Sequence, residues 1–195
     1  SVPVYRGIAT GYAVGCCLRC VYCWSNWSRD FPERFGEFYS PREVAQRLFR
    51  AAEDGIVYSD HWRRLIPKVN KLRLSGCEPT IGKEHLLSVL KHVEDSKYQL
   101  FILETNGILF GADREYVKNV AKSASKIYVR VSFKAASPEG FTKRTGAIGK
   151  YYELPFKALK NLLDEGIFAR AAAMTDSQIM PKEERKILIE KLTEI

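Results

Sequence analysis

The sequence predicts an α/β fold of repeated βα units around a parallel sheet. Short β-rich runs alternate with stretches of helical periodicity along the whole chain. No linker, low-complexity tract or internal repeat divides the 195 residues, so one domain over residues 1–195 is expected. The glycine-containing polar motifs also follow the strands, where a parallel sheet gathers its ligands.

Each element has a local cause. The first strand is placed at residues 4–10 and leads into a cysteine-rich loop. A polar and aromatic stretch, residues 24–39, comes next. Ser40-Pro41-Arg42-Glu43 then opens a helix as a capping box with proline at the first helical position. Val44, Leu48 and Ala52 form the apolar face of that helix, with Ala45 and Phe49 beside them. The second strand is expected at residues 71–75 with a helix at 83–95, and the third at 99–104 with a helix at 113–123. The fourth is expected at residues 127–133, with a helix at 151–165 stopped by Gly166. The fifth is expected at 167–174, and a last helix runs from Pro181 to the chain end.

Composition narrows the class. Hydrophobic residues make up 46%, as in a globular chain. No apolar run approaches the length of a membrane span. Ser1-Val2-Pro3-Val4-Tyr5 lacks the charged start and apolar core of a secretory leader, so a reducing cytoplasm is the expected location. The net charge of +8 permits nucleic-acid binding. Its basic residues are interleaved with acids, as in Lys182-Glu183-Glu184-Arg185-Lys186, which reads as solvated helix surface.

The cysteines carry the sharpest signal. Cys16, Cys20 and Cys23 form a C-x3-C-x2-C loop with Tyr22 just before the last thiol. Three thiolates on one short loop can hold three corners of a cubic iron–sulfur cluster and leave one iron open. Structural zinc wants four closed ligands. Five cysteines is an odd number for a disulfide framework. Cys17 lies in the loop at the wrong spacing and reads as a small packing residue.

This loop resembles the cluster motif of the radical S-adenosylmethionine (radical SAM) enzymes. The resemblance implies a [4Fe–4S] cluster whose open iron is chelated by S-adenosylmethionine. One electron then cleaves the sulfonium to methionine and a 5′-deoxyadenosyl radical. Tyr22 matches the aromatic position that packs near the cofactor. Ser75-Gly76-Cys77-Glu78-Pro79 is similar to the family's Gly-Gly-Glu-Pro motif, which implies that Gly76 and Glu78 meet the cofactor's amino group. Cys77 departs from that motif and puts a thiol near the cofactor.

Glu104-Thr105-Asn106-Gly107 is similar to acid-Thr-Asn-Gly runs near the cofactor ribose, with Glu104 and Asn106 as candidate contacts. Alternation along the fourth strand puts Arg130, Ser132 and Lys134 on one face, where they need a polar partner. Ser132 and Lys134 suit the cofactor's carboxylate and ribose. An internal ion pair with Glu78 or Glu104 is the other reading of this face. Lys134-Ala135-Ala136 and Phe141-Thr142-Lys143-Arg144-Thr145-Gly146 resemble the activating enzymes of glycyl-radical enzymes, pyruvate formate-lyase-activating-enzyme-like, and their archaeal relatives. Arg170 is a further candidate for cofactor or substrate. His61, His85 and His92 match no motif. Trp24, Trp27, Phe31, Phe35, Phe38 and Tyr39 read as a cap, a docking surface or core packing.

The expected architecture is therefore an incomplete (β/α)6 partial TIM-like barrel with about five βα units, truncated on its C-terminal side. A sixth strand upstream of Val4 would contradict this. The resemblance implies hydrogen abstraction from a substrate, with a glycyl-radical enzyme first and tRNA or another RNA second. It also implies an external one-electron reductant, flavodoxin or ferredoxin-like. An iron–sulfur electron-transfer or sensor protein is the alternative of another class.

Overall fold

The computed structural model describes residues 7–54, 69–174 and 176–195. Five parallel strands form one sheet in the order β1-β2-β3-β4-β5. They are β1 (Ala9–Ala13), β2 (Lys71–Gly76), β3 (Leu100–Thr105), β4 (Ile127–Phe133) and β5 (Phe168–Ala173). The helices that follow them are α3 (Pro41–Asp54), α4 (Lys83–Glu94), α6 (Arg114–Ser123), α8 (Leu154–Asp164) and α9 (Lys182–Thr193). Four shorter ones were not foreseen: α1 (Asn26–Asp30), α2 (Pro32–Phe35), α5 (Ile108–Ala112) and α7 (Pro138–Thr145).

Strand alternation decides which face is wet. On β4, Ile127, Val129, Val131 and Phe133 are buried, while Tyr128, Arg130 and Ser132 are half-buried on the opposite face. The apolar set joins Leu72, Phe101 and Leu103 with Leu86, Val117 and Leu162 from the helices in one core. Each such side chain contributes about 1.5–3 kcal/mol by leaving water. The opposite face of β4 contributes Arg130 and Ser132 to a cavity wall.

The capping box expected at α3 forms. Ser40 and Glu43 exchange bonds at the start of α3, with the Ser40 amide 2.8 Å from Glu43 Oε2. Asp113 caps α6 by accepting from the Tyr116 amide at 3.0 Å. Two elements differ from expectation. β1 starts later and runs through Gly11-Tyr12-Ala13, because register with β2 from Ala9↔Leu72 to Ala13↔Gly76 extends it beyond its local strand preference. Residues 4–6 of the expected strand lie outside the described residues. The helix expected at 151–165 divides into a 3-10 turn, Gly149–Glu153, and α8. Pro155 lacks an amide hydrogen, so it sits in the first turn of a new helix rather than inside an older one.

Gly107 lies two residues beyond β3 and opens α5 with φ +77°. A Cβ there would meet Val131 Cγ1 at 2.8 Å and Pro155 Cα at 3.1 Å. We expect Gly107→Ala to lower stability by at least ~1–2 kcal/mol from left-handed strain alone, read as a reduced urea midpoint at unchanged m-value.

Candidate functional site

The cysteine loop is anchored at both ends. At its start, the Glu78 amide donates to the Gly15 carbonyl and the Gly15 amide to the Ser28 carbonyl, both at 3.0 Å. Further on, the Arg19 amide donates to the Thr145 carbonyl at 2.8 Å and the Val21 amide to the Arg144 carbonyl at 2.9 Å. Between these anchors Leu18, 3% exposed, packs with Ala135 and Phe141. The loop thus rides on α7. Cys16, Cys20 and Cys23 are half-buried and line a single cavity of about 320 Å³. Cys17 is exposed and lies outside that lining, so it is not the packing residue the sequence suggested.

The ends of β2, β3, β4 and β5 supply the rest of the wall, as the parallel sheet requires. Gly76 has φ +90°, and a Cβ there would meet the Ala13 carbonyl oxygen at 2.7 Å, so glycine lets β1 and β2 run close at this point. Glu78 is 2% exposed. Its Oε1 accepts from the Thr80 amide (3.2 Å), the Thr80 hydroxyl (2.6 Å) and the Thr105 hydroxyl (2.7 Å). Its Oε2 accepts from the Asn106 amide at 2.6 Å. The carboxylate expected at a cofactor amine is therefore already engaged by the ends of two strands.

Glu104 lies across from Arg130 in register. Arg130 bonds its Oε1 at 2.5 Å, Arg73 approaches it at 3.7 Å, and the Ser75 hydroxyl bonds Oε2. The internal ion pair is thus the arrangement found for Arg130. Lys134 Nζ donates to Ser132 Oγ at 2.5 Å and sits 5.8 Å from the centre of the Tyr22 ring. The Tyr22 hydroxyl is buried with no hydrogen-bond partner among the described residues. Burial holds its pKa above the ordinary phenol value.

Asn106 Nδ2 lies 3.7 Å from Cys16 Sγ and 3.3 Å from Cys17 Sγ. Burial raises the Cys20 thiol, and the positive charge of Lys134 pulls it back. Cys77 Sγ packs against Ser28 Oγ at 3.6 Å and Ser25 Oγ at 3.7 Å. Its side chain is engaged with the start of α1.

Other candidates fall elsewhere. Arg170 is exposed, stacked over Phe168 at 5.5 Å, and is not part of the cavity wall. His85 bonds the Tyr39 carbonyl at 2.9 Å, and His92 lies on α4. His61 lies outside the described residues. The aromatic segment is exposed rather than packed into the core, with Phe38 and Trp24 prominent, and Trp24 borders the cavity.

Sequence reasoning missed Arg144 and Arg29. Arg144 is 3% exposed and donates to the Lys134 carbonyl at 2.6 Å, the Ile179 carbonyl at 3.2 Å and the Glu184 carboxylate. Arg29 donates to the Cys20 carbonyl at 2.8 Å. Arg144 lies within the run from Phe141 to Gly146, but nothing local in the sequence marks a buried charge.

Among the described residues no group of three His, Cys, Asp or Glu side chains is set to chelate one ion. A single zinc would need its sulfurs drawn within about 2.3 Å of one centre. A cluster instead spreads its thiolates over several irons. Four free thiols line the cavity, three from the loop and that of Cys77 after β2; the three loop thiols, with Lys134 and Arg29 beside Cys20, are a donor set that fits a cluster.

Residues 12–184 match the radical SAM superfamily, and the chain belongs to it. Members of this superfamily use a [4Fe–4S] cluster and S-adenosylmethionine. Two solved structures are similar in fold. One is Streptococcus suis SuiB bound to S-adenosylmethionine, with 17% identity and a TM-score of 0.65. The other is Streptococcus suis SuiB, with 18% identity and a TM-score of 0.67. In both comparisons 96% of this chain is covered, and it spans 36% of the SuiB chain. No curated protein matches. No helix among the described residues is long and apolar enough to cross a membrane.

Burial holds Glu78 above the ordinary carboxylate value, while its donors from Thr80, Asn106 and Thr105 pull it back. A folded pKa above the unfolded one means that the folded chain keeps its proton longer. The associated stability is full below pH 4.5, the ordinary value, and is lost as pH rises through the folded value. Glu94 and Asp113, held low by their donors, give the opposite slope. The readout is therefore a difference: urea midpoints from pH 4 upward should fall less, or rise more, for Glu78→Gln than for the parent chain. Parallel curves would exclude titration of Glu78.

Proposed function

We propose that this chain binds a [4Fe–4S] cluster through Cys16, Cys20 and Cys23, binds S-adenosylmethionine beside it, and acts as a radical SAM enzyme. The observation that carries this reading is that all three motif thiols line the same cavity as the polar ends of β2, β3 and β4. When bound, cluster and cofactor supply a 5′-deoxyadenosyl radical by one-electron cleavage of the sulfonium.

The chain's own residues bind, orient and exclude water. Lys134 and Ser132 suit a carboxylate and a ribose hydroxyl. The Tyr22 hydroxyl, without a partner among the described residues, offers a further donor within the same wall. Gly76 brings main chain up to the cofactor, and Glu78 acts from behind it by fixing Thr105 and Asn106. Glu104, held by Arg130 and Arg73, forms a charged wall suited to hydroxyl groups. S-adenosylmethionine in the SuiB structure supports this ligand choice.

An external one-electron reductant, flavodoxin or ferredoxin-like, would supply the electron. The run from Lys134 to Gly146 supports a glycyl-radical enzyme as the substrate class, with hydrogen abstraction from a protein glycine. Mixing the loaded chain with such a partner should produce a glycyl-radical signal. Salt-dependent tRNA binding without that signal would favour an RNA substrate.

The central test is anaerobic reconstitution with iron and sulfide, reduction, and electron paramagnetic resonance with and without S-adenosylmethionine. A reduced-cluster signal that changes on addition, followed by 5′-deoxyadenosine, is expected. Cys16→Ala, Cys20→Ala and Cys23→Ala should each abolish the signal, while Cys17→Ala keeps it. A cluster indifferent to the cofactor would indicate electron transfer or sensing. Lys134→Ala should weaken cofactor binding about tenfold or more, as expected for removing a charged hydrogen-bond partner, with iron content unchanged.

A further inference from the structure

Asn106 is fixed from two directions. Its backbone amide donates to buried Glu78 at 2.6 Å, and its Oδ1 accepts from the Ile108 amide at 3.0 Å. The residue is 6% exposed. Because Oδ1 is committed to a backbone N–H, the other end of the side chain must be the amide nitrogen, a pure donor with two hydrogens. That nitrogen lies 3.7 Å from Cys16 Sγ and 3.3 Å from Cys17 Sγ. The Leu18 amide is a second donor to Cys16 Sγ, at 3.4 Å. The sequence suggested a ribose contact for Asn106. Its oxygen already accepts from the Ile108 amide, and its amide nitrogen faces sulfur.

We propose that Asn106 sets the reduction potential of the cluster by holding its amide N–H against the Cys16 sulfur, with Glu78 as the residue that keeps it there. This rests on the assignment of Cys16 as a cluster ligand. Hydrogen bonds to ligand sulfurs are among the quantities that fix an iron–sulfur potential. A donor favours the reduced cluster because reduction puts more negative charge on the sulfur it faces. Asn106 is thus a positioning residue that acts through Cys16. Asparagine supplies what aspartate cannot, since an ionised carboxylate has no hydrogen to give. The partners that orient such groups typically matter almost as much as the ligands themselves.

The test compares the full chain with Asn106→Leu and Asn106→Asp, each reconstituted anaerobically. Iron and sulfide content are measured first. The midpoint potential is then read by redox titration with electron paramagnetic resonance detection. In loaded Asn106→Leu the midpoint should fall. At the potential where the parent is half reduced, the reduced-to-oxidised ratio should drop about tenfold, about 59 mV for a one-electron couple. Asn106→Asp should fall at least as far, since it loses the donor and adds negative charge. An unchanged midpoint in either loaded variant overturns the proposal. Loss of the cluster from both variants would make Asn106 a structural residue and also overturns it. A parent chain that takes up no cluster overturns the cluster assignment itself, and the proposal with it.

Discussion

Glu78 brings a carboxylate into a place without solvent, and four donors from the turn after it and the end of β3 replace the lost water. Stranding a buried charge costs several kcal/mol, so the geometry around it has little freedom. Its backbone amide also fixes Gly15 at the mouth of the cysteine loop. One residue therefore ties together the ends of β1, β2 and β3. The positions of Cys16 and Asn106, ninety residues apart, both depend on it.

A second clasp works from the other side. Arg144 and Glu184 are both largely buried, and together they join α7, α9 and the end of β4. Gly140 leaves room for the pair, since a Cβ there would meet Arg144 and Glu184 within 2.4 Å. The carbonyls of Arg144 and Thr145 receive the Val21 and Arg19 amides of the cysteine loop. The loop is thus held between the turn after β2 and the C-terminal end of α7. Leu18 adds apolar contact between the two anchors.

The cavity between these clasps balances its charges locally. Glu104 answers Arg130 and Arg73 on the wall. Lys134 and Arg29 stand beside Cys20 and favour its ionised form against burial. These pairs are partly exposed, so each contributes little to stability. Their main effect is to orient side chains that the strands have already delivered.

The sequence alone determined the periodic and covalent features. Alternation on β4 named its inner face, the capping box opened α3, and the spacing of Cys16, Cys20 and Cys23 singled out the cysteine loop. These properties depend on neighbours in the chain, so they are legible in one dimension. The short α5 and α7, the later start of β1 and the exposed aromatic segment were not, because register and long-range packing decide them. Only the tertiary structure decided what each polar side chain faces. It turned Glu78 toward Thr80, Thr105 and Asn106, paired Arg130 with Glu104 and aimed the Asn106 amide at sulfur. The physical reason is that a polar group satisfies itself with whatever the fold brings within about 3 Å, and sequence spacing does not measure that distance.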